Sequence, residues 1–143
     1  MVIIQCVSHG LVVKNSQILV YKVVDKVSNK SFYRSIGGHV EFGEDSAQTL
    51  RREFKEEINR DILITKKLGI YENIFSYKGE KSHEYVSLYM VEFEDQSVYD
   101  MKEIVGNEGP FRQFIASWIP INKFLNNEEI IFPEQTLIHL KNV

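Results

Sequence analysis

The chain has 143 residues, 43% of them hydrophobic and 26% charged, with a formal net charge of −3. That length suits one domain, residues 1–143, with a sizeable core, and the mild negative charge leaves no electrostatic footprint for nucleic acid. No apolar run could span a bilayer, no basic signal-peptide region opens the chain, and the lone Cys6 excludes an internal disulfide, so the expected location is the cytoplasm.

Residues 2–8 and 11–13 are rich in Val, Ile and Leu, and Ile18 to Val24 follow a polar break at Lys14-Asn15-Ser16-Gln17. The pattern predicts strand, turn, strand. Cys6 and His9 fall in or beside the first strand and read as packed or edge residues, since no ligand pattern accompanies them. Lys26 to Lys30 is a polar loop. Phe32 to Ile36 is a short strand that delivers the chain into a Gly37-Gly38 loop, where absent side chains let backbone approach something closely. Arg34, just before it, reads either as a solvated strand residue or as a phosphate contact, because a guanidinium matches phosphate oxygens bidentately. His39 is equally a structural residue or a donor to a phosphate or base. Phe42 is expected to pack within the loop.

An acidic helix follows. Asp45 can cap it, with Gln48 three residues on to complete a capping box. Ala47, Leu50, Phe54 and Ile58 form its apolar stripe, and Asn59 tolerates the left-handed conformation that ends many helices. Glu53, Glu56 and Glu57 share one face through i, i+3 and i+4 spacing. Glu57 lies seven residues after Leu50, at the buried edge, with Glu53 beside it and Glu56 further out. Crowded carboxylates at the rim of a core repel one another and resist desolvation. A cation relieves both costs, and Mg²⁺ suits a few carboxylates plus substrate phosphates. Taken alone, the helix could instead be a solvated face with ion pairs from Arg51, Arg52 and Lys55.

Asp61 to Tyr71 predicts a partly exposed strand, extended by Ile74, Phe75 and Tyr77 to a hairpin connection at residues 77–81. Glu84 to Phe93 alternates as a long central strand, with Tyr85, Ser87, Tyr89 and Val91 on one side and Val86, Leu88, Met90 and Glu92 on the other. Residues 94–110 read as a long acidic loop, and such loops are often functional. Phe114 to Pro120 is a last strand, with Trp118 in the core. Asn122 to Leu125 is a short helix, and Pro133 is placed at N1 of a terminal helix through Leu140. There is no internal repeat or linker. Two apolar sheet faces need cover on both sides, so the class is α/β, a mixed β-sheet flanked by helices.

Gly38, five residues, Glu44, seven residues and then Arg52-Glu53-Phe54-Lys55-Glu56-Glu57 resembles the box of the Nudix (MutT-like) hydrolases. Asn59 and Arg60 depart from the end of that pattern, where the family has glycine and an aliphatic residue. The resemblance implies an α/β/α sandwich and a metal-dependent hydrolase of a diphosphate linkage in a small-molecule nucleoside diphosphate derivative. A nucleoside triphosphate is the first choice; ADP-ribose or another nucleotide sugar is the alternative. It implies Mg²⁺, with Mn²⁺ as a substitute, held by Glu53, Glu56, Glu57 and the Gly38 carbonyl. Arg52 would orient a box glutamate, and Glu44 would support the loop or reach metal through water. Arg34 and His39 complete the expected substrate contacts. The implied protein is a monomer or homodimer. A rival of another class is a Nudix-fold module that senses a nucleotide without cleaving it, although all four box glutamates are present.

Overall fold

The computed structural model describes residues 2–143. Its strands are β1 (Ile4–Leu11), β2 (Val13–Lys14), β3 (Gln17–Val24), β4 (Ser31–Arg34), β5 (Ile36–His39), β6 (Ile62–Tyr77), β7 (Glu80–Phe93), β8 (Glu103–Asn107) and β9 (Gln113–Pro120). The helices are α1 (Ser46–Ile58), α2 (Ile121–Leu125) and α3 (Thr136–Leu140). Instead of one mixed sheet there are two. The first, in the order β5-β1-β7-β6, is mixed, because β1 runs parallel to β7 while its other pairs are antiparallel. The second, in the order β2-β3-β9-β8 with β4 also on β3, is antiparallel.

Local sequence explains the turns. Asn15 and Ser16 take positive φ of 46° and 62° between β2 and β3, and Lys78 and Gly79 take 55° and 78° between β6 and β7. Two successive left-handed residues match the twist of a tight hairpin. The capping box forms: Asp45 accepts from the Gln48 amide while the Gln48 side chain accepts from the Asp45 amide. Asn59 ends α1 in the left-handed conformation at φ 54°.

The helices cover opposite sides of the sheets. Leu50, Phe54 and Ile58 of α1 pack with Val12, Leu19, Phe93 and Trp118 in one buried cluster. Ile121, Phe124 and Leu140, from α2 and α3, pack with Leu11, Ile18 and Val20 in another. Leu11 and Val12, like Ile18 and Leu19, thus send adjacent side chains into different cores, as a period of two requires. The result is the expected α/β/α layering.

Four local expectations change. Residues 32–36 are not one strand. The chain breaks at Ser35, so β4 pairs with β3 in one sheet and β5 with β1 in the other. Gly37 and Gly38 are strand rather than loop, opposite His9 and Ser8. Phe42 is fully exposed, because the short 40–45 connection folds around Glu44 and leaves no apolar surface to cover it. Residues 94–110 contain a 3₁₀ turn (Gln96–Asp100) and then β8, in which Ile104 and Gly106 are buried and their neighbours exposed; an alternation of two among scattered charges had hidden a strand. In addition, Pro133 precedes a turn, and α3 starts only at Thr136.

Candidate active site

The strand switch at Ser35 opens a cleft of about 1070 Å³ between the sheets. Glu53, Glu56 and Glu57 line it from α1, Gly38 and His39 from β5, and Glu108 from the loop after β8. The α1 carboxylates are graded in exposure as helical spacing predicts. Glu57 is buried, the Glu53 side chain is 14% exposed and that of Glu56 is 60% exposed.

Arg52 ties the face together. Its Nε and Nη2 donate to the two oxygens of Glu44 at 2.8 and 2.9 Å. Its Nη1 donates to Glu53 at 2.8 Å and to Glu56 at 3.2 Å. Nη2 also donates to the His39 carbonyl oxygen at 3.1 Å. Glu44 further accepts from Thr49 Oγ1 and the Glu41 amide. These contacts, Arg52 first, hold its carboxyl down at about 2. Glu44 is therefore a strut between loop and helix, and it is not among the residues lining the cleft.

Glu57 is driven the other way. Burial, and then Glu53, Glu108 and Glu56, push its carboxyl up to about 10, the response of an acid deprived of both water and a counter-charge. Its Oε2 is buried with no hydrogen-bond partner. Gly38 lies next to this crowding. A Cβ there would overlap the Glu53 carboxyl group, with its oxygens 2.5 and 2.7 Å away, so the missing side chain is what lets strand and carboxylate meet. An orphaned acid, a second acid beside it and a bare backbone strand make a donor set of hard oxygens. This set fits a hard divalent cation. Among the described residues, no three His, Cys, Asp or Glu side chains stand gathered around one point; Arg52 holds Glu53 and Glu56 on its own side.

A family model, the NUDIX domain, matches residues 5–139. The chain belongs to the Nudix family. Its structure is similar to those of the ORF135 protein of E. coli (TM-score 0.64, 17% identity, 96% of this chain and 86% of that one) and a Nudix hydrolase of Nitrosomonas europaea (0.61, 17%, 96% and 88%). It is also similar to MutT of Aliivibrio salmonicida and Vibrio cholerae (TM-score 0.55, 24% identity, 98% of this chain and 96% of that one). At these identities the likeness is one of fold. No curated protein matches in sequence.

As a Nudix-type hydrolase the chain has its box residues in one place: Glu53, Glu56, Glu57 and Gly38 at the cleft, with Arg52 and Glu44 behind them. His39 lies on the cleft wall, its carbonyl engaged by Arg52. Arg34 also lines the cleft, but it is not solvated: it donates to Glu84 at 2.7 Å. His9 is packed, as expected, yet it too faces the cleft. Burial and the neighbouring Arg34 hold its imidazole well below the usual range. Sequence reasoning missed Glu84 and Tyr21 and could not single out Glu108. Glu84 carried a signal, since it shares parity with Val86 and Leu88 on an apolar face of β7. Tyr21 and Glu108 carried none: a half-buried tyrosine and a loop acid look alike everywhere. Burial, with Glu108 and Glu57 adding to it against the opposing pull of Arg34, moves the Tyr21 hydroxyl far above its ordinary value.

Proposed function

We propose that this Nudix hydrolase is a nucleoside triphosphate pyrophosphohydrolase, a single domain over residues 1–143, working with Mg²⁺ in the cytoplasm. The observation that carries the reading is the buried Glu57 carboxyl group, its Oε2 without a hydrogen-bond partner, beside Glu53 at the wall of a cleft of about 1070 Å³. Glu53, Glu56, Glu57 and the Gly38 carbonyl are the proposed ligands. The bound cation would neutralise the diphosphate and lower the pKa of the attacking water. Arg52 keeps Glu53 in place through the Glu44 strut, and its hold on the His39 carbonyl fixes β5 against α1. Gly38 keeps the approach to Glu53 free of side chain. Glu108 adds a carboxylate to the same space from the loop after β8.

Support for a nucleotide comes from the chemistry along the cleft. Glu84 lies three residues along β7 from Ser87, which shares a row with Ser8 and Gly38. That separation is roughly 10 Å at ~3.3 Å per residue, enough to place phosphates at one end and a base at the other. The test is product release from a panel of nucleotides with Mg²⁺. Pyrophosphate from a triphosphate is expected. AMP and ribose phosphate from ADP-ribose would move the assignment to a nucleotide sugar. Binding without any turnover would make the chain a sensor.

A further inference from the structure

The inner wall of the cleft holds a second polar group, one that the metal face does not use. Arg34 of β4 donates from Nη2 to Glu84 Oε1 of β7, the side chains being 16% and 5% exposed. Asn73 of β6 donates to the same oxygen at 3.4 Å. His9 Nε2 lies 3.3 Å from Arg34 Nη2. Because arginine can only donate, His9 accepts there and carries its proton on Nδ1. Both contacts to Glu84 fall on Oε1, which leaves the lone pairs of Oε2 for another donor. Meanwhile His9 Nδ1 and Arg34 Nε are buried without partners. Unmatched buried donors are costly, and the free lone pairs of Glu84 Oε2 leave this wall short of a group that donates to a carboxylate.

Aromatic rings flank the same spot. Phe75 sits 5.7 Å below the Arg34 guanidinium, and Phe32 meets Phe75 and Tyr77 edge-on at 5.9 and 6.1 Å. A flat, uncharged ring suits such a wall. A second phosphate does not, because Glu84 would repel it.

We propose that the Arg34–Glu84 pair selects the base, so that the preferred substrates carry an exocyclic amino group donating to Glu84 and a ring nitrogen or carbonyl accepting from the Arg34 guanidinium. Adenine, cytosine and guanine present such an edge. Uracil and thymine do not, since their one edge N–H is flanked by carbonyls and a carboxylate set against it meets an acceptor. The inference rests on the nucleoside triphosphate reading and deepens it. Discrimination of this kind arises when a mismatched ligand leaves the site's buried polar groups unpaired.

The experiment compares kcat and KM for ATP, GTP, CTP, UTP and dTTP with Mg²⁺, and in parallel the affinities of their non-hydrolysable analogues. The variant is the double replacement Arg34→Met with Glu84→Leu, because removing one partner alone would strand a buried charge, whereas exchanging both for apolar groups is tolerated. A melting curve verifies its fold. The wild type should favour at least one amino-bearing base over UTP and dTTP by tenfold or more, mainly in KM, and the double variant should lose that ratio. Equal use of UTP, or a folded double variant that keeps the preference, overturns the proposal. If no triphosphate is cleaved but the analogues still bind with that preference, base selection stands and the pyrophosphohydrolase reading falls.

Discussion

A buried carboxylate with one orphaned oxygen cannot be neutral in its effects, and Glu57 is the residue through which the metal reading can be challenged. Glu57→Gln keeps the shape and removes the charge. Hydrolysis should fall by ~10²-fold or more, since a lost transition-state electrostatic contact costs about that much. The melting temperature in EDTA should not fall, because glutamine needs neither the buried charge nor the proton uptake that burial demands of Glu57. Adding Mg²⁺ or Mn²⁺ should raise the melting temperature of the wild type by mass action and leave the variant unmoved. A folded variant with full activity would remove Glu57 from the site. Glu44 offers a contrast at the same scale. Its folded pKa of about 2 lies below the unfolded carboxylate value, so its stabilisation is present above about pH 4.3 and disappears as pH falls towards 2. The melting-temperature gap between wild type and Glu44→Gln should therefore be open at pH 7 and closed near pH 2. A gap independent of pH would mean that Glu44 acts through packing and not through its charge.

The meeting of β5, β1 and α1 depends on two adjacent glycines with different jobs. A Cβ on Gly37 would overlap the Ser8 carbonyl oxygen, which is backbone, whereas one on Gly38 would strike the Glu53 carboxyl group, which is a side chain. Gly37→Ala should consequently lose stability, roughly 1–3 kcal/mol as for other overpacked sites. Gly38→Ala should mostly lose divalent-cation affinity, as Glu53 is pushed aside while the strand pairing survives. Chemical denaturation and cation titration of both variants separate the two effects, and identical behaviour would show that the glycines share one role. The sequence placed these glycines before the helix correctly but read them as loop. Nothing local distinguishes a bare loop from a strand whose neighbour leaves no space for Cβ.

Across the whole molecule, β7 is the best protected strand to expect. It is hydrogen-bonded to β1 on one side and β6 on the other, and Val86 and Leu88 are completely buried. Native-state hydrogen exchange should give its central amides the slowest rates, and the 25–30 connection among the fastest; a β7 that exchanges with the loops would contradict the layering. How much of this was legible in sequence follows from the range of the forces involved. The helix, its caps at Asp45 and Asn59, its graded carboxylates, both hairpin turns and the two-residue alternation of β7 depend on neighbours within a few positions, so the chain alone determined them, and with them the Nudix box. The division into two sheets at Ser35, the burial of Glu84 under Arg34, the approach of Glu108 to Glu57 and the exposure of Phe42 were decided only by tertiary structure. Each depends on which distant strand lies opposite, and side-chain identity leaves that choice open until the sheets close around the cleft.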